Sequence, residues 1–198
     1  MNRLARGLIL AVTLFAAPAG ATDDAELRQG LFDDPRSPVM GNPEGDVTVV
    51  EFFDYRCPYC RRVAPDLEAL IDGDPDVRVV FKEWPILGRA SVLAARAALA
   101  AHAQGLYWGV HTALMTGALE ADEDAIVAFA QSLGADGDRL RADMASDAVT
   151  EALIANDELA RTLGLSGTPA FVIGDTVVPG AIPVDQMRAL VAEARAGS

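Results

Sequence analysis

Cysteine is scarce in this sequence: Cys57 and Cys60 are the only two. Small exported domains that cannot build an adequate core are dense in disulfides, so this chain is not a disulfide-stapled scaffold. A bridge between residues so close together would remove little freedom from the unfolded chain, which points to chemistry rather than stability. Positive charge is also short, with 16 basic against 29 acidic residues and a formal net charge of −13. That balance excludes nucleic acid as a partner, because phosphate recognition needs a basic surface. Long apolar runs are missing too. Leu8 to Ala17 is too short to span a bilayer and no later segment reaches about 20 uninterrupted apolar residues, so the chain is not expected to be membrane-embedded. Histidine is limited to His102 and His111, far from the cysteines in sequence and expected in packing or surface roles, whereas a zinc site needs about four ligands. No metal site and no cofactor is therefore predicted.

What is present starts at the N-terminus. Arg3 and Arg6 precede the apolar run, and Ala19-Gly20-Ala21 is a small-residue cleavage site, which together predict a signal peptide over residues 1–21 and an exported mature protein. The remaining length fits one domain with an insertion and is enough for a proper core. Residues 22–45 form an acidic, turn-rich leader. Ala25 to Phe32 can make a short helix, which Pro35, Pro38 and Gly41-Asn42-Pro43 prevent from continuing; the leader is expected to lie over the domain or project from it.

Val47 to Phe53 is β-branched, aromatic and nearly uninterrupted, as expected of a central strand buried on both faces. After the cysteines, Val63, Leu67, Leu70 and Ile71 recur at helical spacing until Asp72-Gly73-Asp74-Pro75, with Pro65 inside as a source of a kink. Val77 to Phe81 is the next strand, so strand, helix and strand form a βαβ unit with parallel strands. From Ser91 to Gly164 the chain turns alanine-rich, with room for three or four helices: Ser91 to Gln104, Leu106 to Met115, Asp122 to Leu133 and Asp138 to Leu163. Pro169 to Ile173 and Thr176 to Val178 read as a hairpin turning at Gly174-Asp175. Pro183 to Ala196 reads as a last amphipathic helix. The class is α/β.

Cys57 falls at the start of the first long helix, where unpaired amides and the positive end of the helix dipole favour a thiolate, the reactive form of the residue. Pro58 suits the first turn, in which its missing N–H has no partner to lose. Cys60 lies one turn further in, placed to close a disulfide with Cys57 or to attack a mixed disulfide held there. Arg56, Arg61 and Arg62 put positive charge around the pair, either as solvated surface groups or as groups that lower the Cys57 pKa further. Each unit by which a thiolate pKa falls favours the reduced form by about 1.4 kcal/mol, which corresponds to roughly 30 mV of reduction potential.

Val49-Val50-Glu51-Phe52-Phe53-Asp54-Tyr55-Arg56-Cys57-Pro58-Tyr59-Cys60, the long helical block, and Gly167-Thr168-Pro169-Ala170-Phe171 together resemble the DsbA family, most closely its ScsC-like and DsbA-like periplasmic branch. The resemblance runs from about Gly41 to Ala196. It implies a thioredoxin-like fold with an inserted helical subdomain, its first half at residues 46–89, the insertion at 90–165 and its second half at 166–198. It also implies a periplasmic thiol-disulfide oxidoreductase. In that reading Cys57 is the exposed nucleophile and Cys60 the buried resolving cysteine, with Pro58 and Tyr59 in support. Thr168-Pro169 is a cis peptide facing the disulfide, whose free backbone groups pair with an extended substrate. Glu51 is a buried acid managing the Cys60 proton, with Lys82 on the next strand as its possible partner, or else a solvated residue at a strand edge. Implied partners are proteins with thiols or disulfides and a membrane or periplasmic redox partner. Pro-Tyr between the cysteines, and threonine before the cis proline, occur in isomerase-like relatives, so oxidation and isomerisation both stay open. The short leader lacks the longer helical arm of trimeric relatives, and a monomer is expected.

Two other readings use the same residues. The two soft thiolates could bind Cu(I) in a metal-handling or redox-buffering protein. A helical interaction module with a vestigial disulfide would instead show an unperturbed Cys57.

Overall fold

The computed structural model describes residues 19–197. Apart from its last residues, the predicted signal peptide lies outside them. Among the described residues, β1 (Val39–Gly41), β2 (Val47–Phe53), β3 (Val77–Glu83), β4 (Ala170–Ile173) and β5 (Thr176–Pro179) form one mixed sheet in the order β1-β3-β2-β4-β5. Strand β2 is central in that order, and every residue along it except Thr48 is buried. It pairs in parallel with β3 and antiparallel with β4. Helix α2 (Pro58–Gly73) connects the parallel pair as expected, with Pro65 inside it and Cys60, Val63, Leu67 and Leu70 on its buried stripe.

Strand periodicity divides the core in two. Val47, Val49 and Phe53 of β2, with Val77, Val79 and Phe81 of β3, face α2, the helical block and α8 (Val184–Ala196). Val50, Phe52, Val80 and Trp84 face the other way, onto Leu31 and Ala160. Leu31 belongs to α1 (Ala19–Phe32) and Ala160 to α7 (Asp147–Thr162). The leader therefore covers the second face of the sheet instead of projecting from it. Its tail supplies β1, an edge strand antiparallel to β3 that pattern reading missed because three residues carry no detectable alternation.

Lys82, the only lysine in the sequence, pins this layer. It is fully buried, and Nζ donates to the Gly30 carbonyl and to Ser37 Oγ, each at 2.6 Å. Burial is what lowers its pKa, to about 8.

Between β3 and β4 run α3 (Arg89–His102), α4 (Tyr107–Thr116), α5 (Glu123–Ser132), α6 (Gly137–Met144) and α7. The single helix expected over Asp138 to Leu163 is two. Ser146 adopts an extended conformation, φ −70° and ψ 155°, and its side chain accepts a bond from the Val149 amide, starting α7 afresh. The hairpin turns at Gly174-Asp175 as expected, with Ile173 opposite Thr176.

Candidate active site

Cys57 is the residue that caps the start of α2, in extended conformation with φ −73° and ψ 118°. Its own carbonyl already accepts the Arg61 amide at 3.1 Å, so the helix begins directly beneath the sulfur. Pro58 takes the first helical position and exposed Tyr59 the next. Across from them the Thr168-Pro169 peptide is cis. The thiol of Cys57 donates to the Thr168 carbonyl at 3.2 Å. Both cysteines are free thiols, the reduced form of the pair.

Cys57 was expected to be exposed, yet it is only 4 % accessible against 0 % for Cys60. The Thr168 segment crosses its sulfur, which a reading of the helix alone could not anticipate. The two environments nevertheless separate the two sulfurs. Burial raises the Cys57 pKa, but hydrogen bonds from the Thr168 side chain and from the Cys60 and Tyr59 amides outweigh it, leaving the pKa below that of an ordinary thiol. The three arginines are not among the principal groups that hold this thiolate. Cys60 is driven strongly the other way, first by burial and then by the charge of Glu51. One sulfur is thus favoured as a thiolate and the other as a thiol.

Glu51 lies in the middle of central β2 and is 2 % accessible, which removes the solvated-edge reading. Burial first, and the Cys57 charge second, push its pKa up to about 8. Lys82 is not its partner. The register sets Glu51 opposite Phe81 and Lys82 opposite Phe52, so by strand alternation the two side chains leave on opposite faces of the sheet. Glu51 Oε1 is buried with no hydrogen-bond partner. The residue lines a cavity of about 70 Å³, between α2 and α4, with Arg61, Leu67, Trp108, His111 and Thr112. That volume is enough to admit water.

A second buried acid went unnoticed in the sequence. Glu83, at the end of β3 on the same face as Glu51, accepts from Tyr55 Oη at 2.8 Å and Tyr107 Oη at 3.0 Å. Tyr55 Oη also lies 3.0 Å from His111 Nδ1. Since the Tyr55 proton is committed to Glu83, the Nδ1–H of a neutral imidazole donates to the Tyr55 oxygen. Burial lowers the His111 pKa to about 3. Phe53, Phe81, Tyr107 and Trp108 all stack or edge against the ring. The signal available beforehand was the charged end of an otherwise apolar strand; its partners on α4 were beyond local pattern. His102 is half-buried and meets the cluster only at its margin, edge-on to the Tyr107 ring with centroids 5.9 Å apart.

The arginines divide between two sides. Arg61 Nε donates to the Tyr55 carbonyl at 2.7 Å, and the guanidinium reaches Gly117 at the end of α4. Arg62 lies over the exposed Tyr59 ring, 5.1 Å from its centre. It borders a groove of about 480 Å³ that runs past Thr168 and Pro169 to Ile182. Among the described residues no group of three or more His, Cys, Asp or Glu could hold a metal ion, and no helix is long and apolar enough to cross a membrane.

A sheet with a central parallel βαβ unit, a dithiol at the N-terminus of the crossover helix, a cis proline against it and a helical insertion define a thioredoxin-like fold of the DsbA type. The chain belongs to the DSBA-like thioredoxin domain family, which matches residues 48–192. It is similar to a thioredoxin-like oxidoreductase from Silicibacter pomeroyi, with 49% identity and a TM-score of 0.82 over 86% of this chain and 99% of that one. The catalytic domain of Proteus mirabilis ScsC is 34% identical with a TM-score of 0.76, over 87% and 96% of the two chains. A Na(+)/H(+) antiporter NhaA 1 of Salinispora arenicola is 30% identical over 84% of this chain. There the matched region is 26% of the antiporter, so the chain spans about a quarter of the length of that curated relative.

Proposed function

We propose that the chain is an exported thiol-disulfide oxidoreductase that exchanges disulfides with protein substrates through Cys57 and Cys60. The observation that carries this reading is the Cys57 sulfur at the start of α2, 3.2 Å from the Thr168 carbonyl at a cis proline, with Cys60 enclosed behind it. In the oxidising direction a client thiolate attacks Cys57 Sγ. The client–Cys57 bond forms, the Cys57–Cys60 bond breaks, and Cys60 takes the electron pair and a proton. A second client thiolate then attacks the client sulfur, closing the client disulfide and releasing Cys57 as a thiolate. The client loses two electrons and the pair gains them; a periplasmic or membrane redox partner removes them again. The reverse sequence reduces a client, and both halves together isomerise one.

Glu51 is the group placed to take or give the Cys60 proton, since its buried carboxyl is coupled to that thiol and titrates near neutrality. Thr168 and Pro169 hold the extended client segment, with Pro58 and Tyr59 forming the rim. A signal peptide over residues 1–21 delivers the protein to the periplasm, where it acts as a monomer.

Equilibration with glutathione buffers tests the reading. A reversible Cys57–Cys60 disulfide with a defined potential is expected, and its value assigns the direction of flow. Failure of the pair to equilibrate, or turnover by Cys57→Ser, removes the proposal.

A further inference from the structure

We propose that Arg62 is a specificity-determining residue, selecting client segments that carry an acidic residue beside the reacting cysteine; this rests on the oxidoreductase reading. An arginine in the first turns of a helix opposes the helix dipole and gains nothing in local stability. Among the described residues Arg62 has no acidic group within 4.0 Å, although the chain has 29 acidic residues. Asp66, one turn on, borders the same groove without reaching it. Nor is Arg62 among the principal groups that hold the Cys57 thiolate. Its charge is therefore left over from both stability and thiol activation.

Its position gives that charge a use. The guanidinium lies over the exposed ring of Tyr59, a residue between the two cysteines. It lines the same groove as Thr168, Pro169, Ala181 and Ile182. A segment paired with the Thr168 backbone and bonded through sulfur to Cys57 brings its neighbouring side chain into that groove. There a carboxylate meets a planar donor whose N–H groups have no acidic partner, whereas a lysine or arginine meets like charge. Arg61 faces the α4 side and is tied to the Tyr55 carbonyl, so it does not share this role.

The test uses the full protein with its Cys57–Cys60 disulfide formed and three short peptides that differ only in the residue before one cysteine: Glu, Gln or Lys. The second-order rate of reduction of the protein disulfide is divided by each peptide's own rate with a small uncharged disulfide, which removes differences in peptide thiol pKa. At low salt the Glu peptide should exceed the Gln peptide by about fivefold, as expected for one exposed ion pair, and the Lys peptide should fall below both. The preference should shrink as salt is added. Arg62→Gln should abolish it while leaving the Cys57 thiolate titration unchanged, and Arg62→Lys should restore part of it. Equal normalised rates, or a preference that survives Arg62→Gln, overturn the inference. Turnover of all three without discrimination leaves the oxidoreductase reading intact, whereas no reaction with any of them overturns both.

Discussion

The Cys57 thiol donates to the carbonyl of Thr168, a residue 111 positions later in the chain, at 3.2 Å. The helix that starts at Cys57 and the segment that accepts its thiol are thus separated by the whole helical insertion. They meet because β2 and β4 are antiparallel neighbours, with Phe52 opposite Ala170. Reactivity at the helix start is set partly by this distant residue.

Thr168→Val should therefore raise the Cys57 pKa, because it removes the side-chain hydrogen bond that favours the thiolate and leaves the backbone carbonyl in place. Thiolate absorbance followed against pH reads this directly. The same variant should lower the reduction potential, since a less acidic thiol stabilises the reduced form less. A titration curve that coincides with wild type counts against the assignment.

Glu51 makes stability fall with pH. Its folded pKa of about 8 lies above the ordinary 4.5, so the folded protein binds the extra proton between those values. The contribution is complete below about pH 4.5 and is lost as pH rises through 8. Relative to Glu51→Gln, reduced wild type should lose on the order of 4 kcal/mol across that window. The decline should be smaller with the disulfide formed, because the Cys57 charge that adds to the shift is then gone. Denaturant melts of both redox forms at pH 5 and 8 check it. The Gln variant should also resolve mixed disulfides slowly wherever Cys60 must first lose its proton.

His111 acts with the opposite sign. Its folded pKa of about 3 lies below the ordinary 6.5, so stability is lost as pH falls from 6.5 towards 3. His111→Gln should be less stable than wild type at pH 7 and should lose less on acidification, so the two stabilities converge. Tyr55→Phe, which takes one donor from Glu83 and the acceptor from His111, should cost about 1–3 kcal/mol at neutral pH. A Tyr55→Phe protein as stable as wild type would show that the cluster does not hold the loop before Cys57.

Lys82 should report on the leader. Lys82→Met strips the Gly30 carbonyl and Ser37 hydroxyl of their buried donor, at about 1–3 kcal/mol for each group left unpaired, offset in part by relief of a buried amine. Limited proteolysis between Phe32 and Val39 should quicken markedly in the variant. In wild type, as the sole lysine, Lys82 should react with amine reagents only when the leader opens. Labelling as fast as a free lysine would mean the leader is not held there.

What the sequence determined is what repeats locally or acts within a turn or two. Val47 to Phe53 and Val77 to Phe81 announce buried strands by continuous apolar character, and Val63, Leu67 and Leu70 announce the helix stripe. The spacing of Cys57, Pro58 and Cys60 at a helix start points to thiol chemistry without any distant partner. Three residues of β1 carry too little pattern to be seen, and the break at Ser146 depended on a single side chain outcompeting helix continuation.

Only the tertiary structure decided which charges meet. Glu51 and Lys82 look like partners on adjacent strands, but pairing in register sends them to opposite faces, one to the sulfurs and one to the leader. Glu83, Tyr55 and His111, from β3, the loop before Cys57 and α4, come together in one buried network that no spacing along the chain encodes. The reason is the same in each case. Secondary structure follows from side chains a few residues apart, whereas the partner and protonation of a buried charge follow from which distant surfaces the folded chain places around it.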